Sequence, residues 1–156
     1  MRLYMKQRVF TWRDKFTVYD EEGRDKYYVE GELLSWGKRL HIYDLQKREI
    51  AFVRQRLFHF FPNYAVEKNG RQVAEVRKHF SFFRPVYSVS GPAWDMNGDF
   101  WAHEYQIVGN KGPVASISKR WFTIGDAYEI NIVPDADELT VLGTVLAMDA
   151  CLAANN

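Results

Sequence analysis

At 156 residues, with 47% hydrophobic and 16% aromatic content, the chain suits one domain with a substantial core and is too apolar to be disordered. A formal net charge of +1 and a pI near 7.8 argue against a wholesale polyanion binder. No nucleic-acid partner is expected, and any anionic partner must meet a local patch. A single cysteine, Cys151, leaves no disulfide framework and no cysteine-based zinc site within one chain.

The N-terminal stretch MRLYMKQRVF holds no apolar run of signal-peptide length, which predicts a reduced, cytoplasmic compartment. Short runs rich in Val, Ile, Tyr, Phe and Trp follow at 16–19, 27–29, 40–43, 71–76, 105–108 and 127–133. Turn signals punctuate them at Glu22-Gly23, Asn69-Gly70, Asn97-Gly98 and Asn110-Lys111-Gly112. Gly91-Pro92 and Gly112-Pro113 read as loop punctuation. The pattern predicts an antiparallel meander of ten or more strands.

Three hairpins are copies of one another. Residues 50–66 read IAFVRQRLFHFFPNYAV, 73–89 read VAEVRKHFSFFRPVYSV, and 114–130 read VASISKRWFTIGDAYEI, aligning without a gap. Each opens with an aliphatic residue and Ala, continues through a basic cluster and aromatics, and carries Tyr fourteen residues from its start. Strand alternation puts Ala51 with Val53, Ala74 with Val76, and Ala115 with Ile117 on one face. Glu75 and Arg77 then point outward.

Residues 136–154, ADELTVLGTVLAMDACLAA, are apolar on every side of a helix. Such a helix is buried or inserted in a membrane. It is shorter than the roughly 20 apolar residues a span requires, and Asp149 interrupts it, so a core helix enclosed by the sheet is expected. Pro134 ends the last strand, and Asp135 or Asp137 can cap the helix. Cys151 is expected as a small core hydrophobe.

The segments FTVYDEEG (16–23), LHIYDLQKREIAFVRQRLF (40–58), GDFW (98–101), SKRWFTIGDAYEINI (118–132) and DELTVLGTVLAMDA (137–150), taken in order and spacing, resemble the LURP-one-related proteins. These are members of the tubby C-terminal-like superfamily. The resemblance implies a mostly β fold: a closed antiparallel barrel of about twelve strands enclosing a hydrophobic C-terminal α-helix, one domain over 1–156. It implies no settled activity. Tubby domains, which bind phosphoinositide head groups, and phospholipid scramblases are related branches, and they point to membrane lipids by fold analogy alone. No tubby phosphoinositide motif matches residue by residue, so none is carried over.

The repeat puts basic residues in one slot: Arg54-Gln55-Arg56, Arg77-Lys78-His79 and Lys119-Arg120. Aromatics follow at Leu57-Phe58, at Phe80-Ser81-Phe82-Phe83 and at Trp121-Phe122. Cations beside exposed aromatics suit an anionic membrane surface. Arg54, Arg56, Arg77, Lys78, Lys119 and Arg120 are therefore the candidate binding residues. The competing reading is a solvated strand end followed by core aromatics.

Other chemistry is sparse. The four histidines, His41, His59, His79 and His103, form no close pair with metal-site spacing. His103-Glu104 beside Asp99 is the one place where ligands could gather. No glycine-rich phosphate loop and no nucleophile elbow is present, so no cofactor, metal or catalytic residue is expected. Asp149 is either a perturbed acid in a barrel pore or a carboxylate bonded at the barrel mouth. The expected function is non-enzymatic binding of anionic lipid head groups or membrane surfaces, placing the protein in the cytoplasm or peripherally on a membrane. The alternatives are a protein–protein scaffold, a scramblase-like lipid-moving protein and, last, an enzyme with scattered residues.

Overall fold

The computed structural model describes residues 1–6, 15–32, 36–122 and 125–153. Its strands are β1 (Arg2–Lys6), β2 (Lys15–Tyr19), β3 (Asp25–Gly31), β4 (Arg39–Tyr43), β5 (Glu49–Gln55), β6 (Asn63–Lys68), β7 (Arg71–His79), β8 (Val86–Ser90), β9 (Trp94–Asp99), β10 (Glu104–Gly109), β11 (Gly112–Phe122) and β12 (Gly125–Ile132). One helix follows, α1 (Glu138–Ala153). Every strand pairs antiparallel with its sequence neighbours. β1 closes the ring against β12 through pairs such as Leu3 with Ile130 and Met5 with Tyr128. Closure leaves no sheet edge exposed.

Alternation explains why the strands form and which way they face. Leu3, Val18, Val29, Ile42, Val53, Val66, Val76, Val89, Ile107, Ile117 and Ile130 are buried on the inner face, one from nearly every strand. They surround α1, whose residues from Thr140 to Leu152 are all buried. A helix without a polar face is stable here because the lumen offers apolar contact on every side. At Gly143 an added Cβ would meet Val66 Cγ1 at 2.5 Å, so glycine sets how closely the helix approaches the wall. The buried Thr144 hydroxyl is satisfied by donating to the Thr140 carbonyl at 2.8 Å. Asp137 is the cap, its Oδ2 accepting from the Thr140 N–H at 3.0 Å and from the Thr140 hydroxyl at 2.6 Å.

The two ends of the barrel differ. Connections after even-numbered strands gather where α1 enters, and they are short turns. Asn69 and Gly70, both at positive φ, make one of them, as a type I′ hairpin requires. Lys26 Nζ (2.9 Å) and the Tyr27 hydroxyl (2.5 Å) hold Glu138 at this end, and Lys68 Nζ holds Asp137 at 2.5 Å. The described connections 56–62, 80–85 and 100–103, each after an odd-numbered strand, lie at the opposite end, where α1 finishes near the 100–103 turn and His103 meets Asp149.

Two sequence expectations need correction. Asn97-Gly98 is no turn: both residues lie within β9, and the chain reverses at 100–103. Gly98 sits at φ 135°, with its Cα side only 2.5 Å from the Glu104 carbonyl for any Cβ, so glycine is there for close strand approach. Gly112-Pro113 is not loop punctuation but the start of β11. Pro113 pairs with Val108 beside a register shift that spares the missing N–H.

Candidate functional site

The long connections at the C-terminal end of α1 carry the most unusual surface of the molecule. Residues 56–62 read RLFHFFP and residues 80–85 read FSFFRP. Phe58, Phe60 and Phe83 are almost wholly exposed, at 101, 95 and 97%. Phe80, Phe82, Leu57 and Trp36 are exposed beside them. The two loops touch: ring centroids lie 4.9 Å apart for Phe60 and Phe61, 6.5 Å for Phe61 and Phe80, and 4.8 Å for Phe80 and Phe82. Trp101 is exposed on the 100–103 turn at the same end. Phe58 adopts φ 65°, a left-handed conformation that costs a non-glycine residue about 1–3 kcal/mol. Burying a phenylalanine is worth about 1.5–3 kcal/mol, so a contiguous apolar rim of this kind marks a contact surface.

Two depressions indent the rim. One, of about 420 Å³, lies between Phe60, Phe61, Phe80, Phe82 and Phe83, with Lys78, His79 and Arg84 in its wall. The other, of about 310 Å³, lies among Trp36, Leu57 and Phe58 with Arg39, Arg54 and Arg56. Among the described residues no carboxylate lines either one.

The pleat splits the repeated basic slot into two sets. Arg54, Arg56 and Arg77 project from the outer face of β5–β7 and are met by carboxylates. Arg54 Nε lies 3.1 Å from Glu67, while Arg56 Nη1 and Arg77 Nε lie 3.2 and 2.9 Å from Glu75. Glu75 is buried under them. Burial works to raise its pKa, but the hydrogen bonds from Arg77 and Asn63 and the Arg56 charge outweigh burial and hold it below the usual range. Arg120 stands across the barrel on β11, its Nε 2.6 Å from buried Glu129, which Arg2 also approaches at 3.6 Å. Lys78 and Lys119 alternate onto the inner face, opposite Tyr87 and Tyr128. The Lys119 N–H donates to Glu104 at 2.9 Å. Trp121 and Phe122 have side chains outside the described residues.

Beneath the rim, the tyrosines of the repeat become an inward belt. Tyr64, Tyr87 and Tyr128, joined by Tyr105 of β10, surround the last turns of α1. Burial raises the Tyr105 hydroxyl well above its usual value and pushes Tyr87 up to about 12. It likewise pushes the Cys151 thiol up to about 12, an unreactive core group. Asp149 is buried too. Burial raises its pKa, and His103, with Nδ1 3.5 Å from Oδ1 and its ring stacked on Tyr128, pulls the other way. At that distance the contact is longer than a well-formed hydrogen bond.

His41 lies on the outer face between Glu49, at Nδ1, and Glu32, 3.5 Å from Nε2, with its ring against Phe52. Among the described residues no group of three or more His, Cys, Asp or Glu is placed to hold a metal ion. His103, Glu104 and Asp99 accordingly form no such site. Among the described residues no helix is long and apolar enough to cross a membrane.

Aromatic loops and basic strand ends were legible in the sequence as following one another. Its signal for their exposure was the unbroken HFF and SFF runs closed by Pro62 and Pro85, which no alternating strand can bury on one face. Phe60, Phe61, Trp36 and Arg84 were not singled out by the repeat, and neither were the carboxylates facing the arginines.

A closed twelve-stranded antiparallel barrel with an apolar helix through its lumen is the tubby-like architecture. The LURP-one-related family model matches residues 1–149, and the chain belongs to that family. It is 31% identical over 152 residues to the uncharacterised protein YxjI of Bacillus subtilis strain 168, covering 97% of this chain and 94% of the relative. The X-ray structure of a protein from Arabidopsis thaliana superposes with a TM-score of 0.68 at 12% identity, over 99% of this chain and 92% of the other, a likeness of fold alone. These relatives define a tubby-like domain without an assigned activity.

Proposed function

We propose that this domain docks peripherally on anionic membrane surfaces through the aromatic rim. The observation that carries the reading is the pair of touching loops, 56–62 and 80–85, whose phenylalanines stand in solvent beside Lys78 and Arg84. Aromatic rings favour the membrane interface. Each Lys or Arg near an anionic surface adds about 1 kcal/mol. The outward arginines of the repeat contribute less, because Glu67, Glu75 and Glu129 already neutralise Arg54, Arg56, Arg77 and Arg120. The attraction is therefore carried by the loops and by Lys78.

A protein partner could also cover an apolar rim. The larger depression, lined by Lys78 and Arg84, favours an anionic surface over that second reading. The test is co-sedimentation with phosphatidylserine-containing and with purely phosphatidylcholine vesicles, at low and high salt. The native chain should sediment with the anionic vesicles and be released by salt. Replacing Phe58, Phe60, Phe82 and Phe83 together by Ser should abolish binding and leave the melting temperature unchanged, since those rings are exposed. Undiminished sedimentation of that variant, or no sedimentation of the native chain, defeats the reading.

A further inference from the structure

The larger depression has the features of a seat for a single molecule. We infer that it binds one anionic phospholipid head group, the phosphate lying between Lys78 and Arg84 and the glycerol-ester portion against the surrounding phenylalanine rings. This rests on the rim being membrane-facing, as proposed above.

Its volume, about 420 Å³, falls in the range of about 300–1,000 Å³ typical of small-molecule sites. Its wall is divided by chemistry. Phe60, Phe80 and Phe83 supply an apolar side, and among the described residues the charged side chains lining it are Lys78 and Arg84. Those cations are also the ones left without acids. Arg39, Arg54, Arg56 and Arg77 each reach a carboxylate at 2.9–3.6 Å. Lys78 and Arg84 make no ion pair among the described residues.

Position explains the difference. Lys78 is placed by its register opposite Tyr87 on the inner face, away from Glu75, which lies on the outer face of the same strand. Arg84 stands on the loop between the ends of β7 and β8. A guanidinium fork takes phosphate oxygens bidentately, and an ammonium adds a point charge. His79 is occupied with Ser88 Oγ at 2.5 Å and is not needed. An anion with no apolar part would leave the phenylalanine side of the seat wet, so an amphiphile fits better than free phosphate.

The test titrates the full chain with dihexanoyl phosphatidic acid below its micelle concentration, followed by isothermal calorimetry. Parallel titrations use dihexanoyl phosphatidylcholine and inorganic phosphate. The expected result is saturation at one lipid per chain, with roughly tenfold or weaker binding for the choline lipid, for inorganic phosphate, and for Lys78→Gln or Arg84→Gln. Melting temperatures of the variants serve as the folding control. Equal binding of the choline lipid, which carries a phosphate but no net charge, overturns the selection of an anionic head group, and equal binding of inorganic phosphate overturns the lipid. No saturable binding while anionic vesicles still sediment the chain overturns this inference and leaves surface docking standing. Failure of the vesicles as well defeats both.

Discussion

Deleting residues 137–156 removes the helix and tests whether the barrel depends on its filling. Val141, Leu142, Val145, Leu146, Met148 and Leu152 are six large side chains at 4% exposure or less. At about 1.5–3 kcal/mol for each, their loss amounts to roughly 9–18 kcal/mol, before the facing wall residues are wetted. Whole-domain stability is typically about 5–15 kcal/mol. The truncated chain should therefore fail to fold cooperatively and should aggregate through its exposed inner face. Size-exclusion chromatography and urea unfolding followed by near-ultraviolet circular dichroism read this directly. A soluble monomer with a single sharp transition would refute the argument that the helix supports the wall. A gentler version is Leu146→Ala, at a site with no exposure, which should cost about 2–5 kcal/mol and lower the urea midpoint with little change in slope.

Two further predictions concern buried carboxylates, and their signs are opposite. Glu75 has a folded pKa held below its ordinary 4.5, so its contribution is present above pH 4.5 and is lost as pH falls through the folded value. Glu75→Gln should cost about 1–3 kcal/mol at pH 7, and denaturation curves of variant and native chain should converge in acid; a gap that persists at pH 3 would show that packing, not charge, dominates. Asp149 has a folded pKa raised above 3.8, so its stabilising protonated form is present below that pH and is lost as pH rises through the folded value. Asp149→Asn should be more stable than the native chain at pH 7 and about equal to it near pH 3. A variant less stable at pH 7 would mean that the His103 pairing outweighs the burial of the charge.

The parts of the fold that were legible are those encoded within one strand or one helix. Alternation at Ala51 and Val53, or at Ala74 and Val76, sets the inner face without reference to any other segment. An all-round apolar helix admits few surroundings, so α1 implied an enclosing sheet. The repeated tyrosine was visible as a period, and its meaning as an inward belt, with Tyr64 and Tyr87 near Cys151, emerged only when the hairpins were wrapped into a ring. What was not legible depends on neighbours distant in sequence. Glu75 reaches Arg56 because β6 lies between β5 and β7, a relation no local pattern contains. The basic slot reads as one cluster in sequence, yet the pleat sends Arg77 out and Lys78 in. At Asn97-Gly98, turn chemistry lost to a tertiary requirement: β9 needs a residue without a side chain against Glu104 and Tyr105.

The asymmetry of the barrel follows from where its helix begins and what it fills. At the entry end, short turns and the anchors from Lys26, Tyr27 and Lys68 hold the cap of α1. At the other end the loops carry apolar side chains that gain nothing from the fold. Hydrophobic collapse would ordinarily draw them inward, but the lumen is already occupied by α1 from Thr140 to Leu152. Pro62 and Pro85 close the two loops, and Phe58 sits at φ 65°, a strained conformation spent on a residue in solvent. Phenylalanines that cannot enter a full core can leave water only by meeting something outside the molecule. Because they stand apart from that core, their removal separates binding from folding.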